Sequence, residues 1–138
     1  MNRLQIRESC AVLAGFEILH TDEETRSVWY MPEGLENGIP ARYLRRALYS
    51  DDLPPFEESL NLLRWLELQV IITPATQQRW METFWEVNRD LRGSGLFVLV
   101  TTNAAKRAEV LLKTFGLWRP GAYREHLERM NGLRDALL

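Results

Sequence analysis

A chain of 138 residues, 46% hydrophobic and 26% charged, is long enough to bury one core without staples and too apolar to be disordered throughout. Its formal charge of -2, from 17 basic and 19 acidic residues, excludes a global pull toward nucleic acid or anionic lipid, so any basic patch is local. Cys10 is the only cysteine, which excludes an intramolecular disulfide and points to a reducing compartment. The start, Met1-Asn2-Arg3-Leu4-Gln5, has no apolar signal core. The longest clear apolar run, Leu96-Phe97-Val98-Leu99-Val100, is far too short to span a bilayer, so a cytoplasmic protein without a membrane contact is expected.

Ile6, Cys10 and Leu13 recur at steps of four and three, which predicts a first amphipathic helix with its stop at Gly15. Phe16 to His20 and Ser27 to Met31 are rich in strand formers, and the polar Thr21-Asp22-Glu23-Glu24-Thr25 between them suits a hairpin loop. Pro32 to Pro40, with Gly34, Asn37 and Gly38, reads as a loop, and Ala41 to Tyr49 as a short helix. After the break Ser50 to Pro55, the spacing of Phe56, Leu60, Leu63 and Leu66 predicts a helix with Glu57, Glu58, Asn61 and Arg64 on its polar side.

Leu68 to Ile72 is β-branched and is expected to add a third strand. Thr73-Pro74 then supplies a cap and a first-turn proline for a helix carrying Trp80, Phe84, Val87 and Leu91, broken by Gly93-Ser94-Gly95. Leu96 to Val100 is apolar on both faces of the strand it would make, which places it centrally in the sheet with layers on each side. Thr102-Asn103 caps a helix whose Ala108, Leu111, Leu112 and Phe115 face inward and whose end fits Gly116, with Pro120 beyond. Tyr123, Leu127, Met130, Leu133 and Leu137 form a last helical stripe. The expected organisation is an α+β domain over residues 1–120, with a three- to four-stranded mainly antiparallel sheet, and an appended C-terminal helix over 121–138.

Candidate chemistry is sparse. His20-Thr21-Asp22-Glu23-Glu24 collects metal-capable side chains, but neighbours on a hairpin tip point apart and cannot enclose an ion alone, so no metal is expected there unless His126 joins them in space. Cys10 lies on the apolar stripe with Ile6 and Leu13, where cysteine behaves as a small hydrophobe rather than a nucleophile. Gly93-Ser94-Gly95 lacks the spacing and the lysine of a phosphate-binding loop. No catalytic residue, metal site or cofactor is expected, and the chain is read as a non-enzyme.

Two surfaces remain as candidates for binding. Arg42-Tyr43-Leu44-Arg45-Arg46 is the one basic cluster with an aromatic inside it, a combination that can follow phosphates while stacking a base, although Asp51-Asp52 dilutes it. Met81 and Trp85, one turn apart, widen the apolar arc of their helix beyond what Trp80, Phe84 and Val87 need for a core face. Burial is the ordinary fate of large aromatics, but an exposed Trp/Met patch has the composition of a protein-binding hot spot. The stripe of Tyr123, Leu127 and Met130 must also be buried somewhere, either against its own domain or against a second copy in a homodimer.

The order of Gly15-Phe16, then Trp29 to Gly34 with Pro32, then Leu53-Pro54 before Phe56-Glu57-Glu58-Ser59-Leu60-Asn61, resembles a small family of phage and prophage proteins of unknown function, the phage ABA-sandwich type. Thr102-Asn103-Ala104-Ala105-Lys106-Arg107-Ala108-Glu109, followed by Phe115-Gly116-Leu117-Trp118, is similar to the closing helix of that family. The likeness covers residues 10–118 as scattered short motifs. The tail from Gly121 to Leu138 looks like an addition, and the helix from Thr73 to Asp90 is longer than the family's. The resemblance implies an α-β-α sandwich and transfers no catalytic residue. It points to a phage-encoded accessory protein that binds a bacterial host protein, such as an anti-CRISPR inhibitor of a defence effector. A nucleic-acid-associated replication or regulatory protein using Arg42, Tyr43, Arg45 and Arg46 is the alternative.

Overall fold

The computed structural model describes residues 1–20, 27–31, 39–43, 46–90, 95, 98 and 102–137. Helix α1 (Arg3–Ala14) opens on a reciprocal capping box: Asn2 Oδ1 accepts from the Gln5 amide at 2.8 Å and Gln5 Oε1 from the Asn2 amide at 2.9 Å. It closes at Gly15, whose φ of 103° lets the Phe16 amide turn back onto the Ala11 carbonyl. Its buried face is Ile6, Ser9, Cys10, Ala11, Val12 and Ala14.

Strands β1 (Glu17–His20), β2 (Val28–Tyr30) and β3 (Leu48–Tyr49) form an antiparallel sheet in that order. The expected hairpin is therefore present, with Ile18 opposite Trp29 and an irregularity between Ile18 and His20. Its connecting residues 21–26 lie outside the described residues. The third strand is not the expected one. Ala41–Tyr43 is a single 3₁₀ turn, and Leu48 pairs opposite Trp29 where a short helix was anticipated. Burying Leu48 beside the fully buried Trp29 outweighs the local helical preference of that short stretch.

Of Leu68 to Ile72, read as a strand, Leu68 to Val70 instead finish helix α2 (Leu60–Val70) and Ile71 caps it, its amide donating to the Glu67 carbonyl at 2.9 Å, with Ile72 just beyond. Leu63, Leu66 and Glu67 are buried on one face of α2, so tertiary packing carries the helix through β-branched residues. Helix α3 (Pro74–Val87) starts where Thr73 Oγ1 accepts from the Thr76 amide at 3.1 Å. Helix α4 (Ala104–Thr114) is capped by Asn103 and ended by Gly116 at φ 71°, with the Leu117 amide returning to the Leu112 carbonyl. Helix α5 (Ala122–Leu137) follows Gly121, at φ 75°.

The expectation of a central strand at Leu96 to Val100 is overturned at the residue that is described. Val98 has helical backbone, the Thr102 amide donates to its carbonyl at 3.0 Å, and its side chain is buried with Trp80, Phe84 and Val110. A run that is apolar on every side is the signature of a buried strand and of a buried helical segment alike. Residues 96, 97, 99 and 100 lie outside the described residues, as do 91–94 of the expected glycine turn.

Among the described residues the chain is thus a mainly helical α+β fold: five helices and a small three-stranded antiparallel sheet. The main core joins α1, β2, α2, α4 and the foot of α5 around Trp29, Phe16, Phe56, Leu63, Leu66 and Leu111. A smaller cluster of Trp80, Phe84, Val98 and Val110 fastens α3 to α4. Arg7 of α1 grips the buried Glu57 carboxylate through Nε at 3.0 Å and Nη2 at 2.5 Å, and the Asp51 carbonyl at 2.7 Å, tying α1 to the segment that leads into α2. No helix among the described residues is long and apolar enough to cross a membrane.

Candidate protein-binding groove

The small cluster leaves an apolar rim behind it. The end of α2 and the first half of α3 meet at Thr73, and between them runs a groove of about 390 Å³ lined by Glu67, Leu68, Ile71, Gln77, Trp80 and Met81. On its lining Leu68 is 70% and Met81 43% exposed, and nearby along the chain Ile72 is 71% and Trp85 43% exposed. Four large hydrophobic side chains held in water on adjoining turns are the composition of an interaction patch rather than of scattered surface residues.

The floor is built by Trp80, which is buried and stacks on Phe84 with ring centroids 5.2 Å apart. The Arg107 guanidinium of α4 lies 5.1 Å from the Trp80 ring centroid and at the same time binds Glu67, Nε to Oε1 at 2.8 Å and Nη2 to Oε2 at 3.1 Å. Burial pushes the Glu67 carboxyl above the ordinary carboxylate range, opposed by the bonds and charge of Arg107 and then by Arg64. The Trp80 Nε1 atom is buried and has no hydrogen-bond partner among the described residues. Trp85 packs edge-on against Phe84 at 5.5 Å and 82°, and it lies so close to Gly95 that a Cβ there would stand 3.0 Å from its ring.

The sequence candidates therefore separate by depth. Trp80 is floor, while Met81 and Trp85 are rim. Composition places Leu68 and Ile72 in a strand; in the structure Leu68 is exposed on the last turn of α2 and Ile72 is exposed just after its cap. Of the C-terminal candidates, Tyr123 is a core residue, 4% exposed and 5.8 Å from the Trp29 ring, which corrects its reading as a partner-facing side chain. Leu127 is half-buried against the main core, and Met130 is 50% exposed at the mouth of a second groove of about 380 Å³.

The basic cluster is split as well. Arg42 and Arg46 are exposed and line an open cleft of about 620 Å³, but Asp51 and Asp52 line it too. Tyr43 is buried, its hydroxyl accepts from Arg42 Nη2 at 3.1 Å, and the guanidinium lies 4.8 Å from its ring centroid; a ring so covered offers no free face to a base. Arg45 lies outside the described residues.

Cys10 is wholly buried, and desolvation followed by the charge of Glu57 pushes its thiol pKa up, away from thiolate chemistry. Residues 21–24 of the acidic hairpin tip lie outside the described residues, and His126 sits in the second groove beside Leu127. Among the described residues no group of three or more His, Cys, Asp or Glu side chains is placed to hold a metal ion. No protein-family model matches the chain, and neither a curated protein nor a solved structure matches it.

Proposed function

We propose that the chain is a small phage-type accessory protein that acts by binding another protein through the groove between α2 and α3. The observation that carries this reading is the exposure of Leu68 and Met81 on the lining of that groove, over the buried Trp80, with Ile72 and Trp85 exposed near them along the chain. Burying each of those side chains in a complex is worth about 1.5 to 3 kcal/mol, so the four together supply the core of a stable interface. The partner that fits presents an apolar anchor to the groove. The resemblance to phage and prophage proteins supports a bacterial host protein as that partner, a defence effector such as a CRISPR nuclease among the candidates, and an α-β-α layering of the whole chain. Fold-level analogy of this kind bears on the setting rather than on the site.

The test compares surfaces. Wild-type chain, Met81→Glu and a control, Leu19→Glu on the exposed side of β1, are each coupled and presented to a bacterial lysate, with far-ultraviolet circular dichroism confirming the fold. A host protein captured by wild type and by Leu19→Glu but lost with Met81→Glu supports the groove. Equal capture by all three removes it. Nucleic-acid binding at Arg42 and Arg46 is the second reading, favoured by their shared exposed cleft, and predicts a salt-sensitive gel shift abolished by replacing both.

A further inference from the structure

Strand β3 runs directly into a 3₁₀ turn, Ser50–Asp52, and the cleft of about 620 Å³ opens beside this junction. Its volume lies within the range of about 300 to 1,000 Å³ that small-molecule sites occupy. Alternation along β3 sends Leu48 into the core beside Trp29 and leaves Tyr49 outside, 49% exposed on the lining of the cleft. The junction is held from behind. Trp29 Nε1 donates to Ser50 Oγ at 2.8 Å, the Ser50 hydroxyl donates to Glu8 Oε2 at 3.1 Å, and Arg7 Nη1 donates to the Asp51 carbonyl at 2.7 Å. Tyr49 and Asp52 therefore stand on backbone that is fixed before any ligand arrives.

Two exposed arginines, Arg42 and Arg46, line the same cleft. The Arg42 guanidinium is set in place over the Tyr43 ring, and its bond to the Tyr43 hydroxyl uses only one of the donors of the fork. Arg7 also lines the cleft, but its Nε and Nη2 bind the Glu57 carboxylate, which matches its charge. Asp51 and Asp52 add exposed carboxylates to the lining.

This mixture of signs selects among ligands. A nucleic-acid strand carries a charge at every phosphate and would set some of them against Asp51 and Asp52. A molecule with its negative charge at one end, hydroxyl donors in the middle and a flat ring at the other meets guanidinium, carboxylate and phenol ring in turn. We propose that the cleft binds a mononucleotide, its phosphate on Arg42 and Arg46, a ribose hydroxyl donating to the Asp52 carboxylate, and its base on the face of Tyr49. The site is separate from the α2–α3 groove, so either can fail without the other.

The experiment follows the amide resonances of residues 46–53 in the full chain, at low salt, during titration with adenosine monophosphate, inorganic phosphate or a single-stranded oligonucleotide. The resonances should move saturably with adenosine monophosphate below about 10 mM, a range that reaches even weak site-specific affinity. Inorganic phosphate should bind about tenfold more weakly, because the stacking of one base is worth about that factor. Arg46→Gln should weaken the nucleotide about tenfold by removing a charge-assisted bond. Tyr49→Leu should weaken it by about the same factor and leave phosphate binding unchanged. Asp52→Ala should weaken the nucleotide several-fold and not phosphate.

Resonances that do not move, or a nucleotide affinity untouched by Arg46→Gln, overturn the site. An oligonucleotide that moves the same resonances and binds more than about tenfold tighter than the mononucleotide assigns the cleft to a polymer and overturns it too. Should Tyr49→Leu fail to fold, the unaltered chain still decides the stacking: equal affinities for adenosine monophosphate and inorganic phosphate overturn it.

Discussion

Trp80 and Tyr123 are each the buried aromatic that roots a helix, and they do it by different means. The Tyr123 ring enters the main core beside Trp29 and its hydroxyl finds the Glu8 carboxyl, so the foot of α5 is fixed in angle as well as in depth. The Trp80 ring stacks on Phe84 beneath the Arg107 guanidinium, but its indole N–H is buried without a partner among the described residues. Hydrogen bonds specify the first attachment, whereas stacking and charge specify the second. The difference extends to what surrounds each root. Leu127 follows Tyr123 onto the core, while Met81 and Trp85 follow Trp80 out into solvent. A helix whose apolar face is wider than its own contact leaves a surface for another molecule, which is why α3 and not α5 carries the proposed interface.

The largest effect should come from Arg107, which lies over the Trp80 ring and binds Glu67 at the same time. Arg107→Met strands the Glu67 charge in a buried site, a change that costs about 3 to 5 kcal/mol when a buried pair loses one member. The Glu67 pKa is already raised by burial, and losing Arg107 raises it further, so its neutral form folds at less cost. The deficit should accordingly be smallest in acid, below the unfolded-state pKa, and should grow as pH rises through the raised value. Denaturant melts of both proteins at several pH values check this; a deficit that is constant across pH would mean that Glu67 is not the stranded group.

A matched pair probes the two roots directly. Tyr123→Phe removes a made hydrogen bond and should cost about 0.5 to 1.5 kcal/mol, as such bonds do. Trp80→Phe removes a donor that has no partner, so its only losses are ring area and the contact with Arg107. Paired with a second-site Arg107→Met, which takes away that contact from both, the Trp80 substitution should reveal no hydrogen-bond term. Thermal melts in a double-mutant cycle measure it, and a coupling attributable to Nε1 would show that the indole N–H is satisfied in solution.

The smallest effect concerns the rim. Gly95→Ala places a Cβ against the Trp85 ring at 3.0 Å, so the indole must swing outward. Stability should change by no more than about 1 kcal/mol, because a half-exposed ring has room to move. Tryptophan emission should shift to the red, and capture of the partner through the α2–α3 groove should weaken. An unshifted spectrum would show that Gly95 does not set the position of Trp85.

Local chemistry was legible wherever a single turn decides it. Gly15 and Gly116 at left-handed ends, Thr73-Pro74 and Asn103 at helix starts, and the hairpin of β1 and β2 all depend on residues within a few positions of one another. The two apolar runs, Leu68 to Ile72 and Leu96 to Val100, were read as strands because a short run without alternation has the same pattern in a buried helix. Helix α2 continues through the first since Leu63, Leu66 and Glu67 need that face against the core, and Val98 is helical where the second would have been the middle of the sheet.

The candidate site divides in the same way. That α3 carries more apolar surface than one core face needs follows from the spacing of Trp80, Met81, Phe84 and Trp85 alone, because a helix fixes which side chains share a face. Which of them is floor and which is rim was decided by residues far away in sequence: Arg107 and Val110 pack on Trp80 and Phe84, while Met81 stays 43% exposed. The sequence by itself determined the helix ends, the hairpin and the composition of the apolar stripes, since those arise from contacts one turn apart. The tertiary structure alone decided that Leu68 and Ile72 face water, that Tyr123 belongs to the core and that Glu8 sits beneath it, since burial is a property of what packs on a residue from elsewhere in the chain.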